Sequence, residues 1–155
     1  MPLTTSFNTG STPAINALNA IVDALDIPSG TFPAQILLYG SGSQLLASHD
    51  LPNPAFQDAT YNTTTRIVSV SPISISPDLS VDQTGKALYY VAVPKGTSVS
   101  NPSAPIVIFG GPVIAVGSAI PATGAVQMPT VDLVAGVKSE ITSFSLQMRC
   151  DITMI

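Results

Sequence analysis

The feature that most constrains this chain is the alternation at its C-terminal end, from Ser143 to Thr153. Phe144, Leu146, Met148, Cys150, Ile152 and Met154 are apolar, whereas Ser145, Gln147, Arg149, Asp151 and Thr153 are polar. Successive side chains of a strand point to opposite faces, so a period of two puts one face in a core and the other in water or against a partner. A helix would spread the same apolar residues around its whole circumference. The stretch therefore predicts a long, half-buried strand of an antiparallel sheet. Cys150, the single cysteine, falls on its apolar side and reads as a small core residue; alone, it can form no internal disulfide.

One helix is legible, over about 13–26. Thr12 is placed to cap it, and Pro13 suits a first helical position, where no N–H is required. Ile15, Leu18, Val22 and Leu25 recur at helical spacing with Ile21 alongside, Asn16, Asn19 and Asp23 mark the other face, and Pro28 ends the run. A helix of about a dozen residues is marginal alone, so it must pack on the sheet. Residues 1–12, small and polar, read as an extended N-terminal arm.

From Thr31 onward the pattern is β. Ala34–Tyr39 reads as a strand, Gly40-Ser41-Gly42-Ser43 as a turn, and Gln44–Ser48 as the hairpin partner. Asp50–Phe56 is a proline-rich loop anchored by Phe56. In Thr64–Ser76, Val68 and Val70 share a face and Pro72 interrupts the alternation, which predicts an edge strand or a bulge. Asp78–Gly85 reads as a turn region. Ala87–Val93 is nearly continuous apolar, as in a central strand covered on both faces. Lys95–Pro105 reads as a loop, Ile106–Phe109 as a short strand, Gly110-Gly111-Pro112 as a turn, and Val113–Val116 as the next strand. Ala125–Val134 holds a strand with Met128, Val131 and Leu133 as core candidates, and Gly136–Ser139 turns into the closing strand. The 11 glycines and 14 prolines fall as punctuation between short strands. The predicted fold class is mainly β: an antiparallel β-sandwich or jelly-roll-like single domain over 13–155, with one short N-terminal helix.

A search for chemistry finds no convergence. His49, the one histidine, precedes Asp50, but neighbours on a strand point to opposite faces, and the pair reads as part of a loop or interface rather than a general base and its orienter. One histidine and one cysteine cannot supply four zinc ligands. Asp78 and Asp82 flank a turn without the oxygen-rich spacing of a calcium loop. The Gly40–Ser43 run lacks the lysine and following helix of a phosphate-binding loop. Asn62-Thr63-Thr64 matches a glycosylation sequon. Tyr39, Tyr61, Tyr89 and Tyr90 read as core or interface residues before they read as a sugar groove. The sequence therefore assigns no catalytic, cofactor-binding or metal-binding residue, and the expectation is a protein that is not an enzyme.

Composition points to what covers the surface. Hydrophobic residues make up 45% of the 155, but charged residues only 9%, against roughly 25% in an average soluble domain. Surface charge keeps domains soluble and apart, so a domain this poor in it is expected to hide surface against other chains. The net charge of −4 comes with no basic run, which leaves nucleic acid without an electrostatic footprint. No apolar run reaches the roughly 18 residues of a membrane span, and Met1–Ser6 lacks the pattern of a signal peptide. Synthesis in a cytoplasm, without a membrane partner, is the expectation.

Several short motifs resemble a known group. They are Ala17-Leu18-Asn19-Ala20 in the helix, Ser29-Gly30-Thr31-Phe32-Pro33-Ala34 leading into Ile36-Leu37-Leu38-Tyr39-Gly40, Leu51-Pro52-Asn53-Pro54-Ala55-Phe56, and Ile141-Thr142-Ser143-Phe144-Ser145-Leu146. In this order they resemble small β-rich virion proteins of tailed double-stranded DNA bacteriophages. The chain departs from that pattern in its middle, where Lys95–Pro105 and the Gly110-Gly111-Pro112 region look longer. The resemblance implies a capsid cement or decoration protein, with the major capsid protein and further copies of itself as partners. Its location would be the virion, assembled in the host cytoplasm. A neck, tail or fibre-associated protein, such as a module for host glycans through the loops at Gly40–Ser43 or Lys95–Pro105, is the alternative it leaves open.

Overall fold

Strands dominate the computed structural model, which describes residues 11–27, 33–96, 107–118 and 124–149. The described residues hold one helix, α1 (Ser11–Asp23), and ten strands: β1 (Gln35–Tyr39), β2 (Leu45–Asp50), β3 (Thr60–Asn62), β4 (Ile67–Val70), β5 (Gly85–Lys86), β6 (Tyr89–Val93), β7 (Phe109–Ala115), β8 (Val126–Met128), β9 (Asp132–Leu133) and β10 (Leu146–Arg149). They form a five-stranded sheet in the order β2-β1-β6-β7-β8, a three-stranded sheet β10-β4-β3 and a two-stranded sheet β5-β9. The chain is thus mainly β and sandwich-like with one short N-terminal helix, as its sequence pattern implies. The large sheet is mixed, because β8 runs parallel to β7 while the other pairings in it are antiparallel, and it curls into a half-barrel.

The helix buries Ala14, Leu18 and Val22 and packs on the three-stranded sheet. It begins at Ser11, so Thr12 lies inside its first turn and is not its cap, and residues 11–12 are helix rather than arm. The rest of the expected arm, 1–10, lies outside the described residues. At the other end the α pattern stops at Asp23 and tightens: Leu25 N–H donates to Val22 O (3.1 Å) and Asp26 N–H to Asp23 O (3.0 Å). Such i−3 bonds commonly close a helix. They turn Leu25 into the core and bring the Asp26 carboxylate onto the Ala55 N–H at 3.0 Å.

An aromatic cluster joins the layers. Tyr90 of β6, Phe109 of β7, Phe56 and Phe144 pack edge-to-face at centroid distances of 5.2–6.4 Å, and Phe109 and Phe144 stack at 6.0 Å. Phe56 anchors its proline-rich loop here, as expected, and forms a bridge to Pro72.

Three expectations are corrected. Gly110-Gly111-Pro112 is no turn: β7 runs straight through it. The glycines are required by closeness, since a Cβ on Gly111 would lie 2.5 Å from Gly124 O and 3.0 Å from Tyr90 Cε1, and one on Gly110 2.7 Å from Tyr90 O. Pro112 sits one residue before the pairing with β8 begins, where its missing N–H interrupts no bond to that strand. The closing strand is also shorter than its alternation: β10 covers Leu146–Arg149 and pairs with β4, whereas Ser143 bridges to Gln127 of β8. The chain crosses from one sheet to the other between these points, and buried Phe144 fills the crossing. Cys150 and the residues after it lie outside the described residues. Finally, β4 is the middle strand of its sheet, not an edge; Pro72 follows its end.

Candidate functional site

The one convergence of reactive side chains among the described residues centres on His49. Rather than sitting in a loop, it lies in β2 opposite Ile36 and is fully buried. Its side chain shares the inward face with Ala47, two residues back, and Asp50 is exposed on the opposite face, where Gln35 Nε2 donates to its carboxylate at 2.7 Å. His49 Nδ1 lies 3.0 Å from Ser76 O and Nε2 3.1 Å from Ser139 Oγ. A carbonyl can only accept, so Nδ1 carries the proton and Nε2 accepts from the Ser139 hydroxyl. Burial pushes the imidazole below its ordinary range of about 6.5, against the opposing pull of Ser76 O, Asp78 and Asp50.

A serine donating to a neutral imidazole is half of a nucleophile–base arrangement. Here a backbone carbonyl stands where a triad has its carboxylate, and both side chains are buried. The geometry works as a polar cross-link: one ring ties β2 to the segment at Ser76 and to the segment at Ser139. Sequence reasoning did not find Ser76, at the end of the interrupted alternation of Thr64–Ser76, or Ser139, in the turn before the closing strand. The parity of His49 with Ala47 was the available sign that the ring points inward.

Beside this cross-link lies a recess of about 280 Å³ lined by Val81, Met128, Leu133, Val134, Val137 and Ser139. Aliphatic side chains stand open at its mouth, Val134 53% and Val137 54% exposed, with Leu79, 73% exposed, next to Asp78, the bridge partner of Ser139; Thr130, Asp132, Lys138 and Glu140 supply a polar rim. Lys138 and Glu140 form an ion pair there, which holds the Glu140 carboxyl below its usual range.

A second surface feature lies where β1 and β6 meet. Tyr39 and Tyr89 are register partners, stacked at 5.3 Å with 9° between their planes. Tyr89 OH donates to Ser43 Oγ at 3.1 Å, fixing one ring against the Gly40–Ser43 turn. Burial, then the neighbouring Tyr89, raises the Tyr39 phenol above its ordinary value.

The remaining candidates have structural occupations. Both carboxylate oxygens of Asp78 accept backbone N–H groups, from Ser48 and Ser80, each at 2.9 Å. Asn62 Oδ1 accepts from the Thr64 and Thr65 N–H groups and shapes the β3–β4 turn. Among the described residues no three metal-ligating side chains cluster, and no helix is long and apolar enough to cross a membrane. Most of the Lys95–Pro105 loop, 97–105, lies outside the described residues. No family model, curated protein or solved structure matches the chain.

Proposed function

We propose that this protein is a structural subunit of a larger shell, and specifically a capsid cement or decoration protein of a tailed bacteriophage, held to the major capsid protein and to copies of itself. The observation that carries this reading is a β-rich domain with 9% charged residues that leaves large aliphatic side chains open beside an apolar recess. Exposed apolar patches of this kind, rimmed by polar residues, are a mark of protein–protein contact. A cement function needs no active site. It needs many equivalent contacts, each of about 1,000 Å² or more for specificity, and repetition supplies avidity. The short motifs that resemble virion proteins give the reading its biological context. The test compares capsids assembled with and without the protein. Particles lacking it should burst at lower temperature and regain stability when it is added back; equal survival, with no co-sedimentation, would overturn the reading.

The Tyr39–Tyr89 stack favours one other reading, a glycan-binding module on a neck, tail or fibre. Aromatic faces beside a fixed hydroxyl offer what a sugar ring packs against and bonds to. A glycan array giving signal that Tyr89→Ala abolishes would establish it, and an array without signal would remove it.

A further inference from the structure

We propose that the segments 76–86 and 131–140 form a flap over the edge of β2 that acid releases, with His49 as its latch. This goes beyond the shell reading and does not depend on which surface binds a partner.

The flap is a unit in its own right. Asp78 and Ser139 exchange two backbone bonds, at 3.1 and 2.8 Å, Val81 N–H donates to Val137 O at 3.0 Å, and Gly136 N–H donates to Val81 O at 2.9 Å. β5 pairs with β9, and Ala135 N–H donates to Thr84 Oγ1 at 3.0 Å. Its attachment to β2 is a separate set of bonds. Asp82 N–H donates to Leu46 O at 2.8 Å, Ser76 N–H to Asp50 O at 2.9 Å, and Ser48 N–H to Asp78 Oδ2 at 2.9 Å. These three groups, two residues apart along β2, are the outward-facing groups of an edge strand. The two bonds of the His49 ring go to different halves of the flap; Gln44 Nε2 also donates to Gln83 Oε1, Ala87 N–H donates to Val131 O at 2.8 Å, and Val81 and Leu133 are buried in the core.

Protonation turns Nε2 from acceptor to donor. The Ser139 hydroxyl must then reverse, and a charge appears at a fully buried site. Two carboxylates act on that charge: Asp78, already engaged by two N–H groups, and Asp50, on the other side of the strand and engaged by Gln35. Asp82, Lys86, Asp132, Lys138 and Glu140, the other charged groups of the flap, are exposed, and the last two pair with each other. Across β1 the register partner is the uncharged Ile36. Burial outweighs the carboxylates, so the closed flap holds a neutral ring. When the flap lifts, the ring meets water and binds its proton at the ordinary value near 6.5. Closure is therefore complete above that value and weakens as pH falls below it, toward the lower value of the closed state.

The chain has a single histidine, so one imidazole resonance reports the latch without ambiguity. The experiment follows that resonance and amide hydrogen exchange together between about pH 7.5 and about pH 5. Protection of the Ser48, Ser76 and Asp82 amides, which bond across the attachment, should fall about tenfold per pH unit between about 6.5 and the midpoint of the imidazole signal. Amides of β1 and β6 should keep their protection. In His49→Gln, which keeps a donor and an acceptor but does not titrate, flap protection should no longer follow pH. Four results overturn the proposal: flap protection that stays constant while the ring titrates, a ring that does not titrate before the whole chain unfolds, loss of β1 and β6 protection at the same midpoint, or the same pH response in His49→Gln. If His49→Gln does not fold, the co-titration in the unaltered protein decides.

Discussion

Gly111 and Tyr90 interlock, and the pair shows how tightly the joint between the sheets is built. The Tyr90 hydroxyl donates to Gly124 O at 2.8 Å, and the missing Cβ of Gly111 is what lets ring and carbonyl come so near. Burial holds the Tyr90 phenol far above its ordinary value, so it stays a donor at any pH the fold survives. Gly111→Ala should therefore destabilise the protein by about 1–3 kcal/mol, the ordinary cost of overpacking, because backbone and not a flexible side chain blocks the methyl. Urea unfolding measures it, and a variant within about 0.5 kcal/mol of the parent would show that β7 shifts freely. Little of this was legible beforehand. A Gly-Gly-Pro run carries the same letters whether it turns a chain or admits a neighbouring ring, and only the partner distinguishes the two. The same limit hid Ser139 until His49 was seen to meet it.

At the scale of elements, periodicity was the reliable signal and boundaries were not. Spacing grouped Ile15, Leu18, Val22 and Leu25; Leu18 and Val22 on α1 and Leu25 in the turn after it are buried, and Ile15 is half-buried. It could not show that the last turn tightens to bring Asp26 to Ala55, nor that Asn19 Oδ1 accepts the Ala59 N–H at 2.8 Å and so fixes how the helix sits on the loop before β3. Ile21, grouped with the apolar residues, is 36% exposed. The contrast makes a test of the docking. Leu18→Ala should cost about 2–5 kcal/mol, as buried leucine truncations do, whereas Ile21→Ala should stay within about 0.5 kcal/mol. Thermal and urea unfolding of both variants check it, and equal losses would mean that the helix docks through a different face. The closing strand teaches the complementary lesson. Its alternation is real, since Leu146 and Met148 are half-buried and Gln147 and Arg149 exposed, but alternation reports only which face a side chain takes. It is silent on which sheet the strand joins, and so cannot register that the chain changes sheets at Phe144.

For the molecule as a whole, the scarcity of charge decides how any partner is held. Electrostatic contacts weaken as salt shortens the screening length from about 10 Å at 0.1 M to about 3 Å at 1 M, while apolar burial does not depend on screened charge. If Leu79, Val134 and Val137 around the recess are what the shell covers, association should be carried by those side chains and be nearly indifferent to salt. Each is at least half exposed in the isolated chain, so replacing it should leave the fold intact, within about 0.5 kcal/mol. Leu79→Lys combined with Val137→Lys should therefore preserve the unfolding midpoint yet abolish binding to assembled shells, because each lysine would have to be desolvated without a partner in the contact. Sedimentation with shells should show that the unaltered protein's affinity changes by less than about threefold between 0.05 and 0.5 M salt. Binding that survives the double substitution moves the contact to another face of the fold. Binding that collapses with salt would mean that the few charges, and not the aliphatic side chains, hold the assembly together, and the central link from composition to function would be broken.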